Sequence, residues 1–266
     1  MFSIIIATYN CGPKLEATIE SVLSQKADLF ELIIIDGGST DSTLELLKKY
    51  EHRLRYVSEK DNGVYEALNK GIEMASGKYL YFLGGGDLLR KEILEQLKVS
   101  LPLDERSFVY GMVCLRQTGE HYLRGFSLSD FRTRNICHQA IFYERNIFSR
   151  IGKFELEYRV YADWVLNLKC FVDESIQKIF IDQVIADYEG GGMSETQEDS
   201  NFRKAFPLLI KQHLGVGQYL LHKVDVIKTY LYLTLRQAVP PGLRPSLSHA
   251  RRRLVSRADR KKDWAH

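Results

Sequence analysis

Residues 33–41 read IIIDGGSTD, a β-branched run that ends abruptly in an acid, two glycines and small polar side chains. Such runs are typical of buried strands in parallel sheets. Because ligands of open α/β sheets bind beyond the carboxyl ends of the strands, Asp36 is predicted to face a ligand. Turns rich in Asp, Gly and Ser also form for conformational reasons alone. Residues 33–41 by themselves therefore leave a structural and a functional interpretation open.

The stretch belongs to an alternation of apolar runs and helical stripes that covers the first hundred residues. Strands are predicted at 3–7, 31–35, 54–57 and 78–83, and helices at 15–25, 42–50, 62–75 and 89–101. This order is typical of a doubly wound parallel sheet. After Pro102 the rhythm changes to strands at 107–114, 140–143 and 178–185 and helices at 144–151 and 163–172. The second half is therefore predicted to be a mixed sheet with long loops.

Charge is distributed unevenly along the chain. The net charge is +3, but residues 244–266 contain eight Lys or Arg and two Asp, a net of +6, which leaves −3 on the rest. A slightly acidic body argues against nucleic-acid binding, whereas the basic tail favours an anionic surface. No apolar run reaches the roughly 18 residues of a membrane-spanning helix.

Cysteine placement indicates the compartment. The four cysteines are scattered, without a CxxC pair or zinc-site spacing, at Cys11, Cys114, Cys137 and Cys170. This pattern predicts reduced thiols and a cytoplasmic location. Since the first residues lead straight into a strand, without a charged segment or cleavage site, we expect no signal peptide.

A separate helical pattern lies near the C-terminus. Residues 220, 224, 227, 231 and 235 are Leu, Val, Ile, Leu and Leu, one apolar stripe on a helix that is predicted to end at Pro240 and Pro241. With the basic tail, the stripe favours peripheral contact with the cytoplasmic face of a membrane. A helix packed on the domain and a dimer interface are the alternatives.

Polar side chains follow each of the first four predicted strands. In order along the chain they include Thr8 with Asn10, then Asp36, Asp61 and Asp87. Because these strand ends meet at one edge of a doubly wound sheet, three carboxylates are expected to line one crevice. Crowded carboxylates require a cation or hydrogen-bond donors. Mg²⁺ or Mn²⁺, held by one or two carboxylates and substrate phosphates, would supply the cation.

Three segments in this order resemble family 2 glycosyltransferases of the GT-A fold, which are inverting enzymes that use nucleotide-diphospho-sugars. The segments are SIIIATYN at 3–10, IDGGSTD at 35–41 and the Gly-Asp strand end at 86–87. The resemblance covers roughly residues 1–195. It implies an α/β, Rossmann-like GT-A fold, with a mostly parallel central sheet, helices on both faces and a C-terminal helical extension.

The resemblance also implies a division of the chain. Residues 1–102 would form the nucleotide-sugar-binding half of the GT-A domain and residues 103–212 its acceptor-binding and catalytic half. Residues 213–266 would form the amphipathic helix and the basic tail.

At the donor end, the resemblance assigns roles to individual side chains. Thr8 and Asn10 match the first nucleotide-binding turn. Asp36 matches the acid that hydrogen-bonds the base, usually uracil, and Asp61 a position near the ribose and diphosphate.

The strand end at residues 86–87 departs from the usual pattern. Asp87 matches the acid that binds the divalent metal, whereas Gly86 stands where the family usually has a second acid. The ribose or sugar contact of that acid must come from elsewhere or be absent. Relatives that act on polysaccharide precursors often have Gly-Asp here, so the departure does not indicate an inactive protein.

In the second half, YADW at 161–164 resembles the family's acid-plus-aromatic motif before a helix. The resemblance implies that Asp163 is the general base, which takes the proton of the acceptor hydroxyl as that hydroxyl attacks the anomeric carbon. Trp164 could stack on a sugar ring. His138 could contact acceptor, phosphate or metal. The structural alternatives are a helix cap for Asp163 and packing roles for Trp164 and His138.

The favoured function is transfer of a sugar from a nucleotide-diphospho-sugar, a UDP-sugar, to a hydroxyl of a glycan or lipid-linked acceptor in polysaccharide biosynthesis. A non-catalytic nucleotide- or glycan-binding module is an alternative, since residues 84–86 are three bare glycines. A sugar nucleotidyltransferase would need an early glycine-rich basic loop for a triphosphate. Residues 8–14 offer only Gly12 and Lys14 for such a loop.

Overall fold

The first half of the chain forms the predicted parallel sheet. The computed structural model describes residues 1–101, 106–122 and 125–237. Its first strands are β1 (Phe2–Thr8), β2 (Phe30–Asp36), β3 (Arg55–Ser58) and β4 (Tyr79–Gly84). Between them lie helices α1 (Gly12–Leu23), α2 (Thr43–Tyr50) and α3 (Val64–Met74). The strands pair in parallel in the order β3-β2-β1-β4.

The register of these strands aligns their carboxyl ends. Thr8 at the end of β1 lies opposite Asp36, and Asp36 lies opposite Ser58. Ala7 lies opposite Gly84. The apolar run of β2 is completely buried, as its uninterrupted β-branched sequence predicted. The polar residues that follow the strands are therefore neighbours at one edge of the sheet.

Beyond β4 the sheet is mixed, which confirms the predicted change after Pro102. The remaining strands are β5 (Leu88–Leu89), β6 (Ser107–Leu115), β7 (His121–Tyr122), β8 (Ile141–Glu144) and β9 (Gln177–Tyr188). β8 pairs antiparallel with β4 and β6, whereas β9 runs parallel to β6. The helices of this part are α4 (Ile93–Ser100), α5 (Asn146–Ile151) and α6 (Ala162–Val172).

The helix predicted at 89–101 is wrong at its start. Leu88 and Leu89 form β5, which pairs antiparallel with Asp187 and Ala186 of β9, and helix α4 begins only at Ile93. A strand of two residues is too short to show the alternation of side chains from which strands are predicted. It forms here because it pairs with a distant segment.

The described chain divides into two compact units. The first consists of Met1–Phe126 and Ile136–Gly190, and it contains the whole sheet and every residue predicted for the site. The second consists of Ser127–Asn135 and the chain from Gly191 onward. Its described helices are the short α7 (Met193–Thr196) and the long α8 (Ser200–Gln237), which is interrupted at Gly215 by a backbone φ of +85°.

After this interruption, α8 has two distinct faces. On one face, Asp225 and Gln218 accept hydrogen bonds from Arg132, both at 2.7 Å, and His222 packs edge-on against Phe206. The other face carries exposed apolar side chains, each between 43 and 58% exposed, at Val216, Leu220, Val224, Ile227 and Leu231. The predicted stripe is therefore exposed at Leu220, Val224, Ile227 and Leu231, whereas the side chain of Leu235 lies outside the described residues.

Two parts of the C-terminal prediction lie outside the described residues. They are the helix end at Pro240 and Pro241 and the basic tail at 244–266. Within the described residues, no helix combines the length and the apolar character needed to cross a bilayer.

Candidate active site

The turns after β1 and β2 are tied together by hydrogen bonds. The Asn10 amide N–H donates to Ser39 Oγ at 2.8 Å, and Asn10 Oδ1 accepts the Thr40 N–H at 2.9 Å. Asn10 has a φ of +49°, in the left-handed region that asparagine tolerates better than most residues. Thr8 Oγ1, in contrast, is buried and has no hydrogen-bond partner among the described residues. Hydrogen bonds thus fix the first predicted binding turn, and the Thr8 hydroxyl next to it is available for a further hydrogen bond.

Asp36 is completely buried in this structure, with an exposure of 0%. Oδ2 accepts the Gly38 and Ser39 N–H groups at 3.2 and 2.9 Å and the Ser58 hydroxyl at 2.6 Å, while Oδ1 accepts the Ser39 hydroxyl. Four donors surround the carboxylate, so Asp36 organises the turn, and its contact with a base stays a prediction.

Asp61 is the more accessible acid at this point of the edge. Its carboxylate is half-buried and lies over Gly37, where an added Cβ would come within 2.9 Å of Asp61 Oδ2. Burial raises the pKa of Asp61, and the hydrogen bond from the Gly63 N–H opposes that shift. The glycine at 37 therefore leaves room for an acid that comes from the loop after β3.

Asp87 lies at the end of β4, as predicted, and is 5% exposed. Its Oδ2 accepts the Gln139 side-chain amide and its Oδ1 the Glu189 N–H, both at 2.9 Å. Burial raises the pKa of the Asp87 carboxyl, against the effect of these two hydrogen bonds. Gln139 is itself held, because the Tyr81 hydroxyl donates to its carbonyl oxygen at 2.9 Å.

Asp163 lies in the first turn of α6, whose N-cap is Tyr161, so the helix-cap alternative for Asp163 is wrong. Its Oδ1 accepts the Trp164 N–H at 2.8 Å and lies 3.0 Å from the Tyr65 hydroxyl, whose single proton is shared with the Val160 carbonyl oxygen at 2.9 Å. Burial and the neighbouring Asp163 carboxylate raise the pKa of the Tyr65 hydroxyl well above its usual value, so Tyr65 stays a donor. The carboxylate is thereby oriented by groups from two helices, α3 and α6.

His138 lies beside Asp163. Its Nδ1 is 3.6 Å from Asp163 Oδ2, which exceeds the length of a hydrogen bond. The next residue in the chain, Gln139, donates to Asp87 Oδ2 at 2.9 Å. His138 is therefore close to Asp163 without being hydrogen-bonded to it, and its chain neighbour contacts Asp87.

Trp164 is 4% exposed, and its ring packs edge-on against Tyr161. This burial supports the packing alternative, and stacking of the indole on a sugar ring stays a prediction. The contribution of Trp164 to the site is its backbone N–H, which holds Asp163.

Three side chains of the site did not emerge from the sequence as site residues. They are Tyr65, which holds Asp163, Gln139, which holds Asp87, and Glu189, whose N–H also holds Asp87. Gln139 was next to a predicted residue, but its partner is 52 positions away. The position of Tyr65 carries no local signal, because its partner is 98 positions distant. Glu189 lies beside the glycine run at 190–192, but its partner Asp87 is 102 positions away.

Comparison with known proteins decides the family. Residues 3–151 match the model of glycosyl transferase family 2. The chain belongs to this family. A PGL/p-HBAD biosynthesis glycosyltransferase of Mycobacterium bovis is 40% identical to it over 216 residues, which cover 78% of this chain and 84% of that protein. An uncharacterized glycosyltransferase of Mycobacterium tuberculosis is 30% identical over 210 residues, 74% of this chain and 78% of that one.

Solved structures confirm the GT-A fold of this family 2 glycosyltransferase. TarS 1–349 of S. aureus, in complex with UDP-GlcNAc, matches with a TM-score of 0.66 at 18% identity, over 100% of this chain and 93% of that one. The mannosyltransferase PcManGT of Pyrobaculum calidifontis, in complex with GDP-Man and Mn²⁺, matches with a TM-score of 0.62 at 15% identity. That match covers 97% of this chain and 86% of the other.

Proposed function

We propose that this glycosyltransferase moves a sugar from a UDP-sugar to a hydroxyl of a glycan or lipid-linked acceptor, with inversion at the anomeric carbon. The observation that supports this most is the Asp163 carboxylate. It is held on one oxygen by Tyr65 and Trp164 and bordered on the other by His138. Such a carboxylate is oriented for proton transfer before the substrates arrive.

Residues 1–102 supply the donor side of this proposal. Thr8, Asn10 and Asp61 are assigned to contacts with the nucleotide and the diphosphate. Asp36 contributes through the turn that it fixes, since three hydrogen bonds to its carboxylate hold Gly38 and Ser39 in place. The acceptor is assigned to residues 103–212, which carry His138 and Asp163.

The residues at the β4 end fit a divalent cation such as Mg²⁺ or Mn²⁺. Asp87 and Glu189 are hard oxygen donors on neighbouring backbone, joined by the hydrogen bond from the Glu189 N–H. Among the described residues, no three His, Cys, Asp or Glu side chains cluster as a metal site. Mg²⁺ in nucleotide sites commonly takes one or two carboxylates from the protein and further ligands from substrate phosphates. When bound, the ion would stabilise the negative charge of the departing diphosphate.

In the transfer step, the acceptor oxygen forms the new bond to the anomeric carbon, and the bond from that carbon to the diphosphate oxygen breaks. The hydroxyl proton moves to Asp163 as the attack proceeds. We assign it to Oδ2, because Oδ1 already accepts the Tyr65 hydroxyl and the Trp164 N–H. His138 lies on the Oδ2 side and is positioned to contact the acceptor hydroxyl.

A thermal-shift screen of UDP-, GDP- and dTDP-sugars with Mn²⁺ tests the function. A cognate donor at 100 times its Kd adds about 2.7 kcal/mol to the stability of the folded state, a rise in Tm of roughly 5–10 °C. We expect a UDP-sugar to give that rise and to release UDP when an acceptor is added. A shift with UDP-sugars that never leads to UDP release would instead support the binding module.

The acceptor proposal extends to the membrane surface. The exposed apolar face of α8 has the character of a helix that lies in a bilayer interface. Its described charged side chains after Gly215 include Lys223 and Lys228, which favour anionic lipids. The mycobacterial relative is named for PGL/p-HBAD biosynthesis. We therefore place the enzyme at the cytoplasmic face of a membrane, where a lipid-linked acceptor is reached.

Vesicle sedimentation tests this placement with two neighbouring substitutions. Ile227→Glu puts a charge on the exposed apolar face, whereas Val226→Glu puts the same charge on another side of the same helix, at 47% exposure. We expect the parent and Val226→Glu to sediment with phosphatidylglycerol vesicles and Ile227→Glu to bind at least ten times more weakly. Equal binding by both variants would contradict the membrane contact, as would a parent that dimerises and ignores vesicles.

A further inference from the structure

The turn after β4 has a glycine, Gly86, where the family usually has an acid. The carboxylate of Glu189, the residue that follows β9, lies against this glycine. We propose that Glu189 is the second acid of the donor site, and that with Asp87 it holds the divalent cation of the donor diphosphate. This inference rests on the proposed function and names a residue that the family pattern does not place at this position.

Gly86 shows where the carboxylate lies. A Cβ added there would collide with Glu189 Oε2, so the carboxylate lies directly against Gly86. The φ of Gly86 is +110°, which also disfavours any residue with a Cβ. The Gly86 N–H donates to Thr18 Oγ1 at 2.8 Å, and its carbonyl accepts Arg116 at 3.2 Å. The glycine at position 86 therefore leaves the space in which the Glu189 carboxylate lies.

The backbone holds Glu189 in this place. β9 runs parallel to β6 up to the residue before it, where Tyr188 lies opposite Leu115 and its carbonyl accepts the Arg116 N–H at 2.9 Å. The Glu189 N–H donates to Asp87 Oδ1, and its carbonyl accepts the Gln117 side chain at 3.3 Å. An acid so placed is part of the site even though 102 residues separate it from Asp87.

A cation already accompanies the acid. Lys14 Nζ lies 2.9 Å from Glu189 Oε1, with the lysine side chain 66% and the glutamate side chain 33% exposed. Exposed ion pairs of this kind contribute little and exchange partners readily. A divalent ion that arrives with the diphosphate can replace the ammonium group, while the charge of the carboxylate stays compensated.

A second observation points to a ligand at the same turn. Thr8 Oγ1 is buried without a partner and lies 3.5 Å from the position of an added Cβ on Gly85. Buried hydroxyls in native proteins nearly always have a partner. The unpartnered Thr8 hydroxyl beside the Gly84–Asp87 turn indicates that a polar ligand binds there. A cation with its diphosphate would be such a ligand.

The test is Mn²⁺ binding in the presence of UDP, followed by the EPR signal of free Mn²⁺. We expect Glu189→Gln, which keeps the shape of the side chain, to weaken Mn²⁺ binding at least ten-fold. Glu73→Gln is the matched control, because Glu73 also pairs with an exposed lysine, Lys153, away from these turns. Lys14→Met should keep or strengthen the Mn²⁺ affinity, since it removes the ammonium group that competes with the ion for Glu189.

The outcomes separate this inference from the proposed function. Parent-like Mn²⁺ binding by Glu189→Gln would overturn the role of Glu189 while the donor site stands. Equal losses in Glu189→Gln and Lys14→Met would also overturn it, because they would show that the ion pair itself shapes the turn. If the parent bound no UDP in a thermal-shift assay with or without Mn²⁺, the proposed function would fail first.

Discussion

Asp163→Asn is expected to lower kcat by about 10²–10⁴-fold, the usual contribution of a positioned general base. Asparagine keeps the size of the side chain, and its Oδ1 can still accept the Tyr65 hydroxyl and the Trp164 N–H. What it cannot do is take the proton of the acceptor hydroxyl. The loss therefore isolates proton transfer from folding, and it is measured as the initial rate of UDP release at saturating donor and acceptor.

A matched control is available on the same unit. Asp182 is an exposed carboxylate on β9, and Asp182→Asn removes the same charge without touching Tyr65, His138 or Asp87. We expect this variant to turn over at the parent rate. A kcat of Asp163→Asn within two-fold of the parent would mean that another group accepts the proton.

Asp36→Ala is expected to have the largest effect on stability, a loss of about 3–5 kcal/mol. The substitution removes the common acceptor of two backbone N–H groups and two hydroxyls, all next to a buried strand end. Each buried donor left unsatisfied costs about 1–3 kcal/mol, less where water enters. Urea unfolding followed by the fluorescence of buried Trp164 measures the loss.

Ser58→Ala provides the graded comparison for Asp36→Ala. It removes one of the four donors and leaves the acceptor in place, so we expect a loss of only about 1 kcal/mol. If Asp36→Ala unfolded at the same urea concentration as the parent, the carboxylate would not be holding the turn.

The sequence predicted the sheet edge well because strands and turns leave local signals. The run before Asp36 is β-branched and fully buried in β2, and the polar residues after β1, β2 and β4 do lie side by side. The accessibility of Asp36 was not predictable in the same way. One of its donors, Ser58, comes from β3, and only the parallel register brings that hydroxyl to the carboxylate.

The site depends on contacts that no local pattern encodes. The sequence showed that Gly86 lacks the family's usual acid, but the carboxylate that fills the gap comes from the end of β9. Likewise, Asp163 was identified from its motif, while Tyr65 was indistinguishable from a core residue of α3. Residues of this kind become visible only when the sheet brings distant segments together.

The measurement that bears most directly on the central claim pairs donor binding with transfer in one preparation of Asp163→Asn. The account predicts that the variant shows the same donor-dependent rise in Tm as the parent with the UDP-sugar and Mn²⁺, because its turns at the β1, β2 and β4 ends are intact. It also predicts almost no glycosylated product. Product formed at the parent rate, or a donor-induced shift lost together with transfer, would contradict the assignment of Asp163 as the base of this site.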